Sequence, residues 1–135
     1  MGMDEVRVIV VDDARDFAEV LAETLEMDGY QVKVALDGNE ALRLAEEFEP
    51  ICALVDIRMP HLDGHELSRR LRAKYGDEVV LIAMTGEGTP NDRVSEAFSL
   101  FDYYLSKPVD TKALHKVLPP INPRRVSADV PPLQN

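Results

Sequence analysis

The stretch VRVIVVDD, residues 6–13, decides how the whole chain is read. Apart from Arg7 its first six residues are apolar and β-branched, and two carboxylates, Asp12 and Asp13, follow at once. A nearly continuous apolar run of this length suits a strand covered on both faces. Carboxylates at the tip of such a strand are costly to bury unless a partner meets them. The question is what that partner is.

Four further runs extend the pattern. Gln31 to Ala35 is shorter and alternates, as a less buried strand does. Ile51 to Val55 and Val79 to Met84 are again nearly continuous, and Tyr103 to Leu105 is a weak fifth. Helical spacing fills the intervals. Phe17, Val20, Leu21 and Leu25 share one face, and Gly29 is a plausible stop. Asp37 with Glu40 three residues on is an N-cap signature, followed by Ala41, Leu42, Leu44, Ala45 and Phe48. Gly64 to Tyr75 is anchored by Leu67 and Leu71. A fourth helix is expected from about Pro90 and Asn91, carrying Val94, Ala97 and Phe98. A fifth follows Val109 on Leu114, Val117 and Leu118, and Pro119 and Pro120 end it. Strand and helix alternating in this way predict an α/β fold, an open parallel sheet with helices on both faces. Ligands in such folds bind beyond the C-terminal ends of the strands.

Composition narrows the classes. A chain of 135 residues with 45% hydrophobic content can build one domain with a sizeable core. Its net charge of −10, from 25 acidic and 15 basic residues, disfavours direct contact with a nucleic acid backbone. Cys52 is the single cysteine and lies in an apolar run, so it reads as a small buried hydrophobe and no internal disulfide can form. No run approaches a membrane span and no secretory signal is visible, so no membrane contact is expected and the cytoplasm is the default. After Pro119 the proline-rich INPRRVSADVPPLQN has no helical period and reads as a flexible tail or the start of a linker.

Polar residues then gather at one edge of the expected sheet. Asp12 and Asp13 follow the first strand, Asp56 ends the third, Thr85 ends the fourth and Lys107 follows the fifth. Each has a plainer explanation. One of the acidic pair could cap the first helix. Asp56 could start a turn, Thr85 could be a loop residue, and Lys107 could be one of many solvated cations. Together at four ends of one parallel sheet they are harder to dismiss. Clustered carboxylates favour a bound cation, and hard oxygen ligands suit Mg²⁺. A hydroxyl and an ammonium can hold phosphoryl oxygens, and a free carboxylate can attack phosphorus to give an acyl phosphate.

VIVVDD, LVDIRMPHLDG, MTGEG and YYLSKPVD together resemble the receiver domain of bacterial two-component response regulators, over roughly residues 6–121. The resemblance implies a doubly wound, flavodoxin-like fold with five parallel strands in the order 2-1-3-4-5 and five flanking helices. It implies a receiver domain over residues 5–121, which leaves 122–135 as the flexible tail or linker start. Asp56 matches the phosphoacceptor. Asp12 and Asp13 match the acidic pair that holds Mg²⁺, Asp13 directly and Asp12 mainly through water, with the carbonyl of Arg58 completing the protein ligands. Thr85 matches the switch hydroxyl, Lys107 the phosphate-pairing lysine and Tyr104 the aromatic switch position. Pro108 is expected to follow a cis peptide bond from Lys107. Arg58 and Glu87 stand where groups near the hydrolytic water stand in the family.

By the same resemblance, a histidine kinase or phosphotransfer domain donates the phosphoryl group. The receiver catalyses its own phosphorylation and dephosphorylation rather than acting as an ordinary enzyme. The surface formed by the fourth helix, fifth strand and fifth helix then changes to meet an output domain or a second receiver. Leu100 departs from the pattern. It occupies a site where many receivers have glycine, and a leucine forced into the left-handed region costs roughly 1–2 kcal/mol. A degenerate receiver, a phosphorylation-independent interaction module, would lack Asp56, Lys107 or the acidic pair, and all are present. An Asp-x-Asp phosphatase would need a second Asp where Arg58 stands. An FMN site would meet repulsive carboxylates. No DNA-binding output domain is expected after the last helix, and a single-domain regulator and a receiver cut from a hybrid kinase or larger regulator both stay open.

Overall fold

The computed structural model describes residues 6–58, 64–86 and 101–119. Strands β1 (Arg7–Val11), β2 (Gln31–Ala35), β3 (Cys52–Asp56), β4 (Val80–Thr85) and β5 (Tyr103–Ser106) form one sheet. All four pairings are parallel and the order is β2-β1-β3-β4-β5. Among the described residues the helices are α1 (Arg15–Met27), α2 (Gly38–Phe48), α3 (Gly64–Tyr75) and α4 (Thr111–Val117), with a 3₁₀ turn at Gly76–Glu78.

The expectation of five helices is corrected here: the described residues hold four. The further helix rested on Val94, Ala97 and Phe98, and that segment, with Glu87 and Leu100, lies outside the described residues. Helical spacing alone carries little, because helix stability in proteins comes mainly from packing an apolar face. None of the four observed helices comes from that segment. Residues 122–135, expected to be a tail, also lie outside the described residues.

Alternation along the strands divides the core in two. Ile9, Val11, Ala53, Val55, Leu81 and Ala83 face α2 and α3, meeting Ala41, Ala45, Leu67 and Leu71. Val8, Val10, Cys52, Leu54, Ile82 and Met84 face α1 and α4, meeting Ala18, Leu21, Leu25 and Leu114. Both faces being covered explains why β1, β3 and β4 are apolar almost throughout. Edge strands β2 and β5 are more exposed, and their sequences are correspondingly mixed.

Local chemistry sets the ends of the elements. Asp37 accepts a hydrogen bond from the Glu40 amide at 2.8 Å, and Glu40 Oε1 accepts one from the Leu36 amide at 2.8 Å. This reciprocal arrangement satisfies amides that the first turn of α2 leaves open. Gly29, at φ 106°, takes the left-handed turn that releases α1 into β2. The α1–α4 side is closed by Tyr30, whose hydroxyl donates to the Pro119 carbonyl at 2.9 Å. Among the described residues no helix is long and apolar enough to cross a membrane.

Candidate functional site

Sheet register brings the polar strand ends together. Val11 pairs with Val55, so Asp12 and Asp56 are the next residues on two adjacent strands. Asp56 pairs with Met84, which places Thr85 one step further along β4. Thr85 pairs with Ser106, and Lys107 follows. The Lys107 amide donates to the Thr85 carbonyl at 2.7 Å, and the Lys107–Pro108 bond is cis. Extended by one residue, the alternation puts Asp12, Asp56 and Lys107 toward α1, and Thr85 toward the opposite face.

Asp12 and Asp56 are buried, as is Thr85, whereas Asp13 and Arg58 are exposed. One carboxylate oxygen from each of Asp12, Asp13 and Asp56 lies within 4.8 Å of the others. Lys107 Nζ stands 2.7 Å from Asp12 Oδ2 and 3.6 Å from Asp56 Oδ2. Asp12 Oδ1 accepts the Ala14 amide at 2.9 Å, and Asp56 Oδ1 accepts the Arg58 amide at 3.2 Å. The acidic pair does not cap α1: Ala14 is the N-cap residue, without a side-chain bond.

Electrostatics record the crowding. Burial and the neighbouring Asp12 push the Asp56 carboxyl up to about 6, against the opposing pull of Lys107 and the Arg58 amide. Asp12 Oδ2 is buried and takes no aligned hydrogen bond despite the nearby ammonium. A carboxylate oxygen in that position, with two more carboxylates beside it, is a donor set of hard ligands that fits Mg²⁺.

Two residues shape the site without having been picked out for it in the sequence. A Cβ on Gly64, at the start of α3, would meet the Asp56 carbonyl oxygen at 2.6 Å and Ile57 Cα at 2.8 Å. Only glycine lets α3 approach the strand end so closely. Phe17, which the helical spacing reads as a core residue, places its ring centroid 4.7 Å from Lys107 Nζ. An aromatic in the first turn after the acidic pair was the available signal. Glu87 lies outside the described residues, and Tyr104 is about half exposed on β5.

The comparisons with known proteins agree with this geometry. A family model, the response regulator receiver domain, matches residues 8–119. Response regulator MprA of Mycolicibacterium vanbaalenii is 40% identical over 103 residues, which is 76% of this chain and 44% of that protein. The chain thus spans less than half the length of the curated relatives it matches. A response regulator of Burkholderia pseudomallei, crystallised with a phosphorylated aspartic acid, a calcium ion and citrate, is 28% identical with a TM-score of 0.76, over 93% of this chain and 72% of that one. TrrA of Thermotoga maritima, crystallised with Mg²⁺ and beryllofluoride, is 27% identical with a TM-score of 0.72, over 84% of this chain and 99% of that one. With the sheet order, the acidic cluster and the family match in agreement, the chain belongs to the response regulator receiver domain family.

Proposed function

We propose that this domain, residues 5–121, accepts a phosphoryl group on Asp56 in a phosphorelay and changes its surface in response. The observation that carries the reading is the meeting of Asp12, Asp13 and Asp56 with Lys107 at the C-terminal edge of the sheet. A carboxylate oxygen of Asp56 attacks phosphorus in line, and the bond from phosphorus to the donor imidazole of a histidine kinase or phosphotransfer domain breaks. The imidazole nitrogen leaves with the electron pair. Lys107 would pair with a phosphoryl oxygen, and Thr85, drawn in from the opposite face, would donate its hydroxyl to another. Asp12, Asp13 and the Arg58 carbonyl would hold Mg²⁺ with Asp56. When bound, the ion neutralises charge that accumulates during transfer.

The relatives crystallised with a phosphorylated aspartate or with Mg²⁺ and beryllofluoride support this assignment. Cytoplasmic location goes with it. So does autodephosphorylation, with Arg58 near the path of the hydrolytic water. The exposed Tyr103 and Tyr104 on β5 belong to the face we assign to a second receiver or an output domain. The test is direct. Acetyl phosphate with Mg²⁺ should add one phosphoryl group to the wild-type protein by intact mass, and Asp56→Asn should take none. Equal labelling of the two proteins would sink the assignment.

A further inference from the structure

We infer that Phe17 is a positioning residue for Lys107, its ring face holding the ammonium over the carboxylate cluster; this rests on the phosphoacceptor reading and deepens it. Three observations converge. Lys107 Nζ lies 4.7 Å from the Phe17 centroid, within cation–π range. The same nitrogen is 2.7 Å from Asp12 and 3.6 Å from Asp56, so the ring and the two carboxylates surround one cation. The Lys107 side chain is only 24% exposed, although lysine sits on a flexible four-carbon stem that ordinarily keeps its head in water.

The chemistry explains why a ring suits this place. In the present geometry the ammonium sits nearer Asp12 than Asp56. To serve a phosphoryl group on Asp56 it must shift toward that carboxylate. A third carboxylate or a carbonyl would hold it by a directed hydrogen bond and resist the shift. An aromatic face attracts the cation through its quadrupole, takes no particular N–H direction and tolerates lateral movement. It also keeps water from one side of the cation, which strengthens the remaining charge interactions. Phe17 is fixed for the task by its backbone in the first turn of α1 and by partial burial against the α1–α4 side of the core.

Leucine at residue 17 keeps an apolar contact with the core and removes the ring; tyrosine keeps the ring. The probe is acetyl phosphate with Mg²⁺ on the full chain, read by intact mass, beside NMR of the lysine side chains. In wild type the Lys107 ε-methylene protons should resonate upfield of those of the exposed lysines, because they sit over a ring. Phe17→Leu should lose that shift and label about fivefold more slowly. Phe17→Tyr should restore both. In a Lys107→Ala background Phe17→Leu should slow labelling no further. Wild-type Lys107 resonances that coincide with those of exposed lysines would overturn the inference, whatever the folding of the variants. So would equal slowing by Phe17→Leu with and without Lys107. The two readings fail separately: an unlabelled wild-type Asp56 removes the phosphoacceptor assignment, while the ring shift still reports the contact.

Discussion

Asp56 carries a charge that its surroundings disfavour. Burial and the nearby carboxylates push it from the ordinary 3.8 to about 6. A carboxyl raised on folding favours the folded state at low pH, where it is neutral in both states. That advantage is lost as pH rises through about 6, and above it the metal-free fold carries the full cost. The difference amounts to roughly 3 kcal/mol at most. Asp56→Asn should therefore stabilise the metal-free protein at pH 7.5 by about 1–3 kcal/mol. The gain should shrink to about a third near pH 4.5, where the folded carboxyl is neutral and the unfolded one is mostly ionised. Denaturant unfolding in chelator at the two pH values measures it. An Asn variant less stable at pH 7.5 than at pH 4.5, each relative to wild type, would mean that Asp56 is better satisfied than its neighbours allow. The same strain makes chemical sense of the site, since a carboxylate held among like charges gains from any cation that arrives.

Between the elements, one ion pair fixes the sheet edge opposite β2. Arg72 near the end of α3 donates to the carbonyls of Gly76 and Val79, at 2.7 and 3.0 Å, and to Asp102 Oδ2 at 3.0 Å. Asp102 Oδ2 also accepts the Leu81 amide at 2.9 Å, and its own amide donates to the Leu81 carbonyl at 2.8 Å. The start of β5 is thus tied to the start of β4 and to the end of α3. Asp102→Ala should leave the Leu81 amide unsatisfied and destabilise the fold by about 1–3 kcal/mol. Its local signature is faster hydrogen exchange at residues 103–106 than across β1 and β3. A uniform loss of protection over the whole sheet would count against a local tie. Lys107 hangs from the end of this strand, so Asp102→Ala should also loosen its ammonium.

Across the molecule, the proposed function requires that a phosphoryl group on Asp56 be sensed at Thr85 and reported at the exposed edge. Tyr104 pairs with Ala83, two residues before Thr85, so both side chains project from one face of the sheet. Thr85 is buried and Tyr104 is about half exposed. Drawing Thr85 toward a phosphoryl group would open space on the side that Tyr104 can enter. NMR with and without beryllofluoride and Mg²⁺ should show large shifts at Thr85, Gly86 and Tyr104. Thr85→Ala should remove the Tyr104 response. Tyr104 signals that stay put in saturated wild type would mean that output runs through another surface.

How much of this could be read from the sequence depended on whether the information was local. The strands β1, β3 and β4 announced themselves because full burial demands apolar residues throughout. Asp37 and Glu40 marked the start of α2 because capping acts within four residues. Asp12, Asp56 and Lys107 were legible as strand-end polar groups, and the parallel order made them neighbours. The Arg72–Asp102 tie, the Phe17–Lys107 contact and the Gly64 approach were not. The first two join residues distant in sequence, the third depends on close backbone packing, and no periodicity records any of them. The helix count came to four among the described residues, and the segment of Val94, Ala97 and Phe98 on which the fifth rested lies outside them.

Asp12 and Asp56 stand on adjacent strands, one residue past a paired position. Their separation is therefore inherited from the peptide hydrogen bond, which holds neighbouring strands about 4.8 Å apart in any protein. Binding clefts built from loops can be widened or narrowed by a single insertion. This one takes its gauge from the backbone ladder itself, and side-chain substitutions elsewhere leave that gauge alone. Diversification among proteins built this way must then fall on what surrounds the gap: the residue over the ammonium, the residues beyond the strand end, and the outer surface. The central spacing is a constant of the polypeptide, and what differs from one such protein to the next is the frame around it.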